Sequence, residues 1–210
     1  MLDVKGLIAS FIEPWRTSSF ADNDQAPWHL VGNIEELLRQ QIASLDSSYQ
    51  RIDELAVHHS ARMEAGAVVK GPAIIGPNCF IAAGAYLRGG VYLEQDCIIG
   101  PSSELKTSVM FAGSKLAHMN FVGDSIIGAD VNIEAGVVIA NHRNEREDRN
   151  VQIVYRGQVI DTGVSKFGAL VGDGSRIGAN AVIAPGALLQ PASIVDRLQL
   201  IDQSPEMELT

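Results

Sequence analysis

Large aliphatic residues recur every six positions from Val57 to Leu105: Val57, Met63, Val69, Ile75, Ile81, Leu87, Leu93, Ile99 and Leu105. Four residues after each stands a small or modest one: Ala61, Ala67, Ala73, Cys79, Ala85, Val91, Cys97, Ser103 and Val109. A six-residue period suits neither an amphipathic helix nor a sandwich, whose strands alternate every second residue between irregular turns. It is the mark of a parallel β-helix, in which each unit is one short strand and one corner. The aliphatic residue fills the interior and the small one the crowded corner. A second run follows at Val122, Ile127, Ile133 and Ile139, and a third at Val171, Ile177, Ile183, Leu189 and Val195.

Where three units close one triangular coil, residues 18 apart stack at about 4.8 Å. Cys79 and Cys97 then stack inside the core, nearly a full strand spacing apart, which exceeds the Cβ separation of about 3.8 Å that a disulfide prefers. They are expected to be small core residues. Lys70, Arg88 and Lys106 are also 18 apart, each directly after a large aliphatic residue. They are expected to form a ladder on one outer edge: either a solvated edge or, as a functional reading, an anion site in which Arg88 offers a planar fork and Lys106 a point charge.

Residues 1–56 carry no hexads and form an N-terminal helical segment. In "HLVGNIEELLRQQIASL", Leu30, Ile34, Leu37, Leu38, Ile42 and Leu45 fall on one helical face. Trp15 and Trp28 in the same segment imply that it packs on something. The β-helix proper is expected over 57–200, interrupted at 142–161 by a charged loop and a hairpin, "VQIVYRGQVI", turning at Arg-Gly. Residues 201–210 read as a loose polar tail. The formal charge of −9 argues against nucleic acid or an anionic membrane as partner, and no apolar run approaches the roughly 20 residues of a membrane span. The expected location is the cytoplasm.

The rhythm breaks after Val109, within "SKLAHMNFVGDSIIGADVN", where "VGDSI" gives a five-residue step. A looped-out or shortened unit there would project His118 from the prism, where a lone histidine is structural or simply exposed more often than catalytic.

At this point the residues resemble a known family. "GSK..H", "GD..IG", "VNI.AG" and the later Asn141 are similar to the acetyltransferase domain of the bifunctional enzymes that make UDP-N-acetylglucosamine. The similarity runs over roughly 69–195 and is nearest to archaeal-type members through "RGQVIDTGVSKFGALVGD". The resemblance implies an all-β fold, a left-handed parallel β-helix assembled as a homotrimer. It also implies acetyl-CoA as cosubstrate, an amino-sugar phosphate such as glucosamine-1-phosphate as acceptor, and no metal. It makes His118 the catalytic base, and Arg88, Lys106, Phe121 and Asn132 the substrate ligands. Ala135, Asn141 and His142 then line the acetyl-CoA side, with a backbone N–H near Ala135 facing the oxyanion. This chain has Phe121 where the bacterial enzymes have a tyrosine, so one hydroxyl contact is absent. Glu147 replaces a basic residue, with Arg146 and Arg149 nearby. Phe167 and Pro185 replace a serine and an alanine of the CoA site. "APWHLVGNIEELL" is similar to the linker that follows the nucleotidyltransferase half of such enzymes.

Three other readings compete. A zinc carbonic anhydrase would need three converging histidines. The five available are His29, His58, His59, His118 and His142, and their spacings do not converge on the repeat. A non-catalytic trimeric scaffold or sugar-nucleotide-binding protein would keep the fold and lose turnover. An O-acyltransferase of a nucleotide sugar would differ in acceptor.

Overall fold

The computed structural model describes residues 6–205. A parallel β-solenoid with three faces forms its body, consistent with the left-handed form. Each face carries seven stacked rungs. Val57, Ile75, Leu93, Met110, Ile127, Val171 and Leu189 stack on the first face. Met63, Ile81, Ile99, Leu116, Ile133, Ile177 and Val195 stack on the second. Val69, Leu87, Leu105, Val122, Ile139, Ile183 and Ile201 stack on the third. These side chains point inward, and with the small corner residues they make one continuous core. Many corners turn through left-handed residues, among them Asn78, Asp96, Asp130 and Asn180, a conformation that short polar side chains tolerate. Cys79 and Cys97 lie buried in this core as free thiols.

The register is where the structure departs from expectation. Rungs repeat every 18 residues as far as Leu87–Leu105, then every 17 from Leu93–Met110 to Val122–Ile139. The first shortened unit runs from Leu105 to Met110, and the second is the expected one from Val122 to Ile127. Both lose their residue at the corner between the third and first faces. Opposite the first loss, the strand Tyr86–Leu93 bulges between Arg88 and Val91. Ser108, not Val109, therefore takes the inward slot opposite Val91. Val109 belongs to an outer cluster instead.

That outer cluster explains the N-terminal segment. The outward residues of the first face include Ile74, Val109, Ile126, Leu170 and Leu188, an apolar stripe that water would penalise. Helix α1 (Leu7–Phe11), a 3₁₀ turn (Glu13–Thr17), α2 (Pro27–Gly32) and α3 (Ile34–Ser44) lie across it. The expected single helix is broken at Asn33, yet Leu30, Ile34, Leu38 and Ile42 are all buried. Leu37 and Leu45 remain half-buried at the margin. Trp15 meets Phe111 at 6.1 Å, Phe20 meets Tyr92 edge-on at 5.0 Å, and Trp28 meets Phe167 edge-on at 5.9 Å.

Two boundaries move. The first rung begins at Leu55, and an antiparallel strand, Tyr49–Ile52, pairs along its outer edge. At the other end the expected loose tail is held at its start. Leu200–Ile201 pair with Val182–Ile183, and Gln203 exchanges hydrogen bonds with the Leu188 backbone at 2.8 and 3.2 Å. The rest of that tail, 206–210, lies outside the described residues. The inserted hairpin pairs Gln152–Tyr155 with Gln158–Asp161. No helix among the described residues is long and apolar enough to cross a membrane.

Candidate functional site

The candidate residues fall along the third face, its two edges and the adjoining strand of the second face. His118 sits at the corner between the second and third faces, in the unit Leu116–Val122, which keeps its six residues. The expectation that a broken rhythm projects it is therefore corrected. The corner itself exposes the imidazole: Met119 turns through φ 52°, and the His118 side chain has no hydrogen-bond partner among the described residues. The His118 carbonyl accepts the Gly136 N–H at 2.9 Å, so Ala135 and Gly136 lie one rung below. Asn132 lies on the second face, in register with Lys115 above and Arg176 below.

The two shortened corners lie at the opposite edge. Arg88 pairs with Lys106 in register, and Lys106 with Gly123. Lys106 lies opposite a residue five places beyond His118, so at most roughly 17 Å of extended chain separates the two ends of the site. Phe121 lies between them, half-buried.

The cation ladder is not free. The Arg88 guanidinium donates to Glu104 Oε1 at 2.6–2.7 Å. The Lys106 ammonium donates to Asp124 Oδ2 at 2.7 Å, with Thr107 Oγ1 at 3.2 Å. Asn141 Nδ2 also donates to Asp124 Oδ2. Lys70 instead places its ammonium over the Tyr86 ring, 5.2 Å from the centroid, and Arg88 sits 5.7 Å from the same ring. The first pair is open, with side chains 37% and 30% exposed; the second is nearly closed, at 16% and 8%. Sequence reasoning missed both carboxylates. Glu104 was legible, because a residue two before Lys106 on a strand shares its face. Asp124 stood in the quoted "VGDSI" but had no assigned partner.

His142 Nδ1–H donates to the Ser165 carbonyl at 2.9 Å, which fixes its ring beside the insertion. Next to it Arg143, 3% exposed, donates to Asp202 at 2.6 and 2.9 Å and to the Pro185 carbonyl at 3.1 Å. The Arg143 hydrogen bonds hold the Asp202 carboxyl below its ordinary value. Phe167 is buried under Trp28 and Pro185 is buried against Arg143, so neither offers a surface to a cosubstrate. No three His, Cys, Asp or Glu side chains group as metal ligands among the described residues.

Seven rungs on three faces, wrapped on one side by helices, define a parallel β-helix of hexapeptide repeats. Residues 72–107 match the bacterial transferase hexapeptide model of six repeats. Within that class the chain resembles the sugar-1-phosphate nucleotidyltransferase–acetyltransferases. It is 32% identical over 159 residues to the bifunctional sugar-1-phosphate nucleotidylyltransferase/acetyltransferase of Sulfurisphaera tokodaii, covering 73% of this chain and 39% of that protein. It is 36% identical over 99 residues to the bifunctional protein GlmU of Methanococcus vannielii, covering 47% and 23%. The chain thus spans well under half the length of either relative. Among solved structures, AntD, an N-acyltransferase from Bacillus cereus in complex with dTDP and 3-hydroxybutyryl-CoA, matches with a TM-score of 0.36. That match has 15% identity over 72% of this chain and 71% of that one, too distant to bear on the site.

Proposed function

We propose that this protein transfers an acetyl group from acetyl-CoA to the amine of an amino-sugar phosphate. The observation that carries the reading is the placement of His118, exposed and unpartnered among the described residues, on the same face as an open arginine pair. The name of the Sulfurisphaera tokodaii relative, a sugar-1-phosphate nucleotidylyltransferase/acetyltransferase, supports the transfer of an acetyl group.

A sugar ammonium must lose a proton before it can attack a thioester, and imidazole, with an intrinsic pKa near about 6.5, suits that transfer. The amine nitrogen bonds to the acetyl carbonyl carbon and His118 takes its proton. The C–S bond then breaks, its electron pair leaves on sulfur, and the His118 imidazolium gives its proton to that sulfur so that coenzyme A leaves as the thiol. A backbone N–H near Ala135 of an adjoining copy faces the oxyanion, since the Gly136 N–H is held by the His118 carbonyl. Arg88, half-open beside Glu104, takes the phosphate and so positions the amine. Phe121 supplies a flat apolar wall, and Asn132 a hydrogen bond to the sugar. Asn141 and His142 line the acetyl-CoA side.

The working form is a homotrimer. The outward residues Val68, Tyr86, Phe121, Val138, Val182 and Leu200 leave the third face largely apolar, and a closed cyclic assembly would cover it. Analytical ultracentrifugation at assay concentration tests this, and a fully active monomer sinks it.

The deciding experiment is a screen of amino-sugar phosphates for release of free coenzyme A thiol from acetyl-CoA. Release that requires the acceptor, with loss in Arg88→Ala greater for phosphorylated than for unphosphorylated acceptors, supports the reading. Binding of acceptors without any thiol release would instead indicate the non-catalytic sugar-binding protein.

A further inference from the structure

Corners between the second and third faces share one backbone bond. The carbonyl of the residue after the inward aliphatic accepts the N–H three places on: Glu64 from Ala67, Ala82 from Ala85, Gly100 from Ser103, Gly178 from Ala181 and Asp196 from Gln199, at 3.1–3.3 Å. Among the described residues Glu134 lacks this bond. Its carbonyl instead accepts Asn120 Nδ2, from the rung above, at 2.6 Å. Asn120 is 2% exposed and fills the small slot four places after Leu116. Other rungs put Ala85, Val137 or Ala181 in that slot. A buried amide there is costly unless its hydrogen bonds are met.

The amide is held in one sense. Ser103 Oγ donates to Asn120 Oδ1 at 3.2 Å and accepts the Asn120 N–H at 3.3 Å. A carbonyl only accepts, so the Asn120 NH₂ must face Glu134. The peptide it grips is Glu134–Ala135. In a trans peptide N–H and C=O point in opposite directions. A Glu134 carbonyl drawn to a buried side chain therefore turns the Ala135 N–H away from the interior. At the same position in other rungs, the Ala83 N–H is capped by Glu64 Oε2 at 2.8 Å and the Ala179 N–H by Glu134 Oε2 at 2.9 Å, each from the rung above. The residue that would cap Ala135 is Ala117, whose methyl cannot accept, and the Ala135 N–H has no acceptor among the described residues. The Glu134 carboxylate is itself paired with Arg197 at 2.9 Å, on the far side from Asn120.

We propose that Asn120 is a positioning residue for acetyl transfer: through the Glu134 carbonyl it aims the Ala135 N–H at the acetyl oxygen. The same bond polarises the peptide and strengthens that N–H as a donor. This rests on the proposed acetyl transfer and names the group that sets its oxyanion donor. Asn120 touches no substrate. It acts on the charge that grows on the acetyl oxygen as the amine adds, which is largest in the transition state.

Asn120→Val removes the amide and inserts a side chain that the next rung already seats in this slot, at Val137. Its kcat should fall about 10- to 100-fold, less than deleting an oxyanion donor outright. KM for acetyl-CoA and for glucosamine-1-phosphate should stay within about 2-fold, because ground-state binding is untouched. Ser103→Ala is the second variant. It keeps the donor and frees its orientation, so kcat should fall less, with the same split; it carries the test if Asn120→Val does not fold. Infrared spectra of bound acetyl-CoA with a ¹³C-labelled carbonyl give a readout that a merely structural role would not move. In the wild type the C=O stretch should lie below that of free acetyl-CoA, and each variant should return it toward the free value. Wild-type kcat in the folded variants, a loss confined to KM, or an unmoved carbonyl band overturns the proposal. Failure of the wild type to bind acetyl-CoA overturns it together with the proposed function. A band that depends on Asn120 in a protein that transfers no acetyl keeps the aimed N–H and removes the proposed reaction. Acetyl transfer indifferent to both variants does the reverse.

Discussion

The Lys106 ammonium lies 2.7 Å from Asp124 Oδ2, one rung below, with both side chains mostly withdrawn from water. A pair this enclosed is costly to break on one side only, because the survivor keeps its charge without a partner. Lys106→Met should lower stability by about 3 kcal/mol, the lower end for an orphaned buried charge. Adding Asp124→Leu should recover most of that loss. Urea unfolding of both variants checks it; an undiminished midpoint for Lys106→Met would show that the pair contributes nothing.

His118→Ala should behave in the opposite way. The side chain is exposed and unpartnered among the described residues, so stability should change by less than about 0.5 kcal/mol. Turnover should fall about 10²–10⁴-fold, the usual range for a lost general base. Wild-type kcat in a folded variant would remove His118 from the chemistry.

Arg143 and Asp202 predict a pH dependence. The Asp202 carboxyl titrates lower in the folded protein than in the unfolded chain, chiefly through the Arg143 hydrogen bonds. Its contribution is therefore present above the unfolded value of about 4 and is lost as pH falls through the folded one. Acid unfolding of wild type should include this loss, and Asp202→Asn should be less stable near neutrality and flatter below about pH 4. Parallel acid-unfolding curves for the two proteins would contradict it.

Gly100 tests the rung spacing. A Cβ at this position would sit 1.6 Å from the Ala117 carbonyl oxygen of the next rung. That atom is ladder backbone and cannot step aside. Gly100→Ala should cost more than about 3 kcal/mol, a value reserved for a few severe mechanisms. A soluble variant with a near-normal thermal midpoint would show that the rungs separate more easily than the register implies.

The N-terminal segment should be indispensable to solubility. Leu38 is fully buried against the first face, and Leu38→Ala should cost about 2–5 kcal/mol. Removing residues 1–48 should bare Ile74, Val109, Ile126, Leu170 and Leu188 together and cause aggregation, read by light scattering. A soluble truncated chain would mean that another surface can cover that stripe.

Most of the coil was legible because inward residues must be aliphatic on every rung, whatever lies outside. The insertion hairpin was legible through its Arg-Gly turn. The position of the first register slip was not, and the reason is local. Met110 and Phe111 are both apolar and fully buried, one inward and one under Trp15. With both faces of that strand covered by protein, hydrophobicity no longer tells inside from outside, and the missing residue disappears from the pattern. The same wrapping hid the true setting of His118, which looked displaced only because the count had slipped upstream. The ladder of cations was visible in the spacing, and its carboxylates were legible there but unassigned: Glu104 stands two places before Lys106 on one strand and Asp124 stands 18 after it, in the same column as the cations.

A molecule made of identical storeys has no internal reason to stop growing, since the top of one copy can seat the bottom of the next. The strand Tyr49–Ile52 runs against the direction of every rung above it and occupies the outer edge of the first one. An incoming copy would find that edge already filled by chain of the wrong polarity on one side of the triangle. This reversed strand acts as a foundation course: it limits end-to-end filament growth, and it does so with four residues that the hexad count never included.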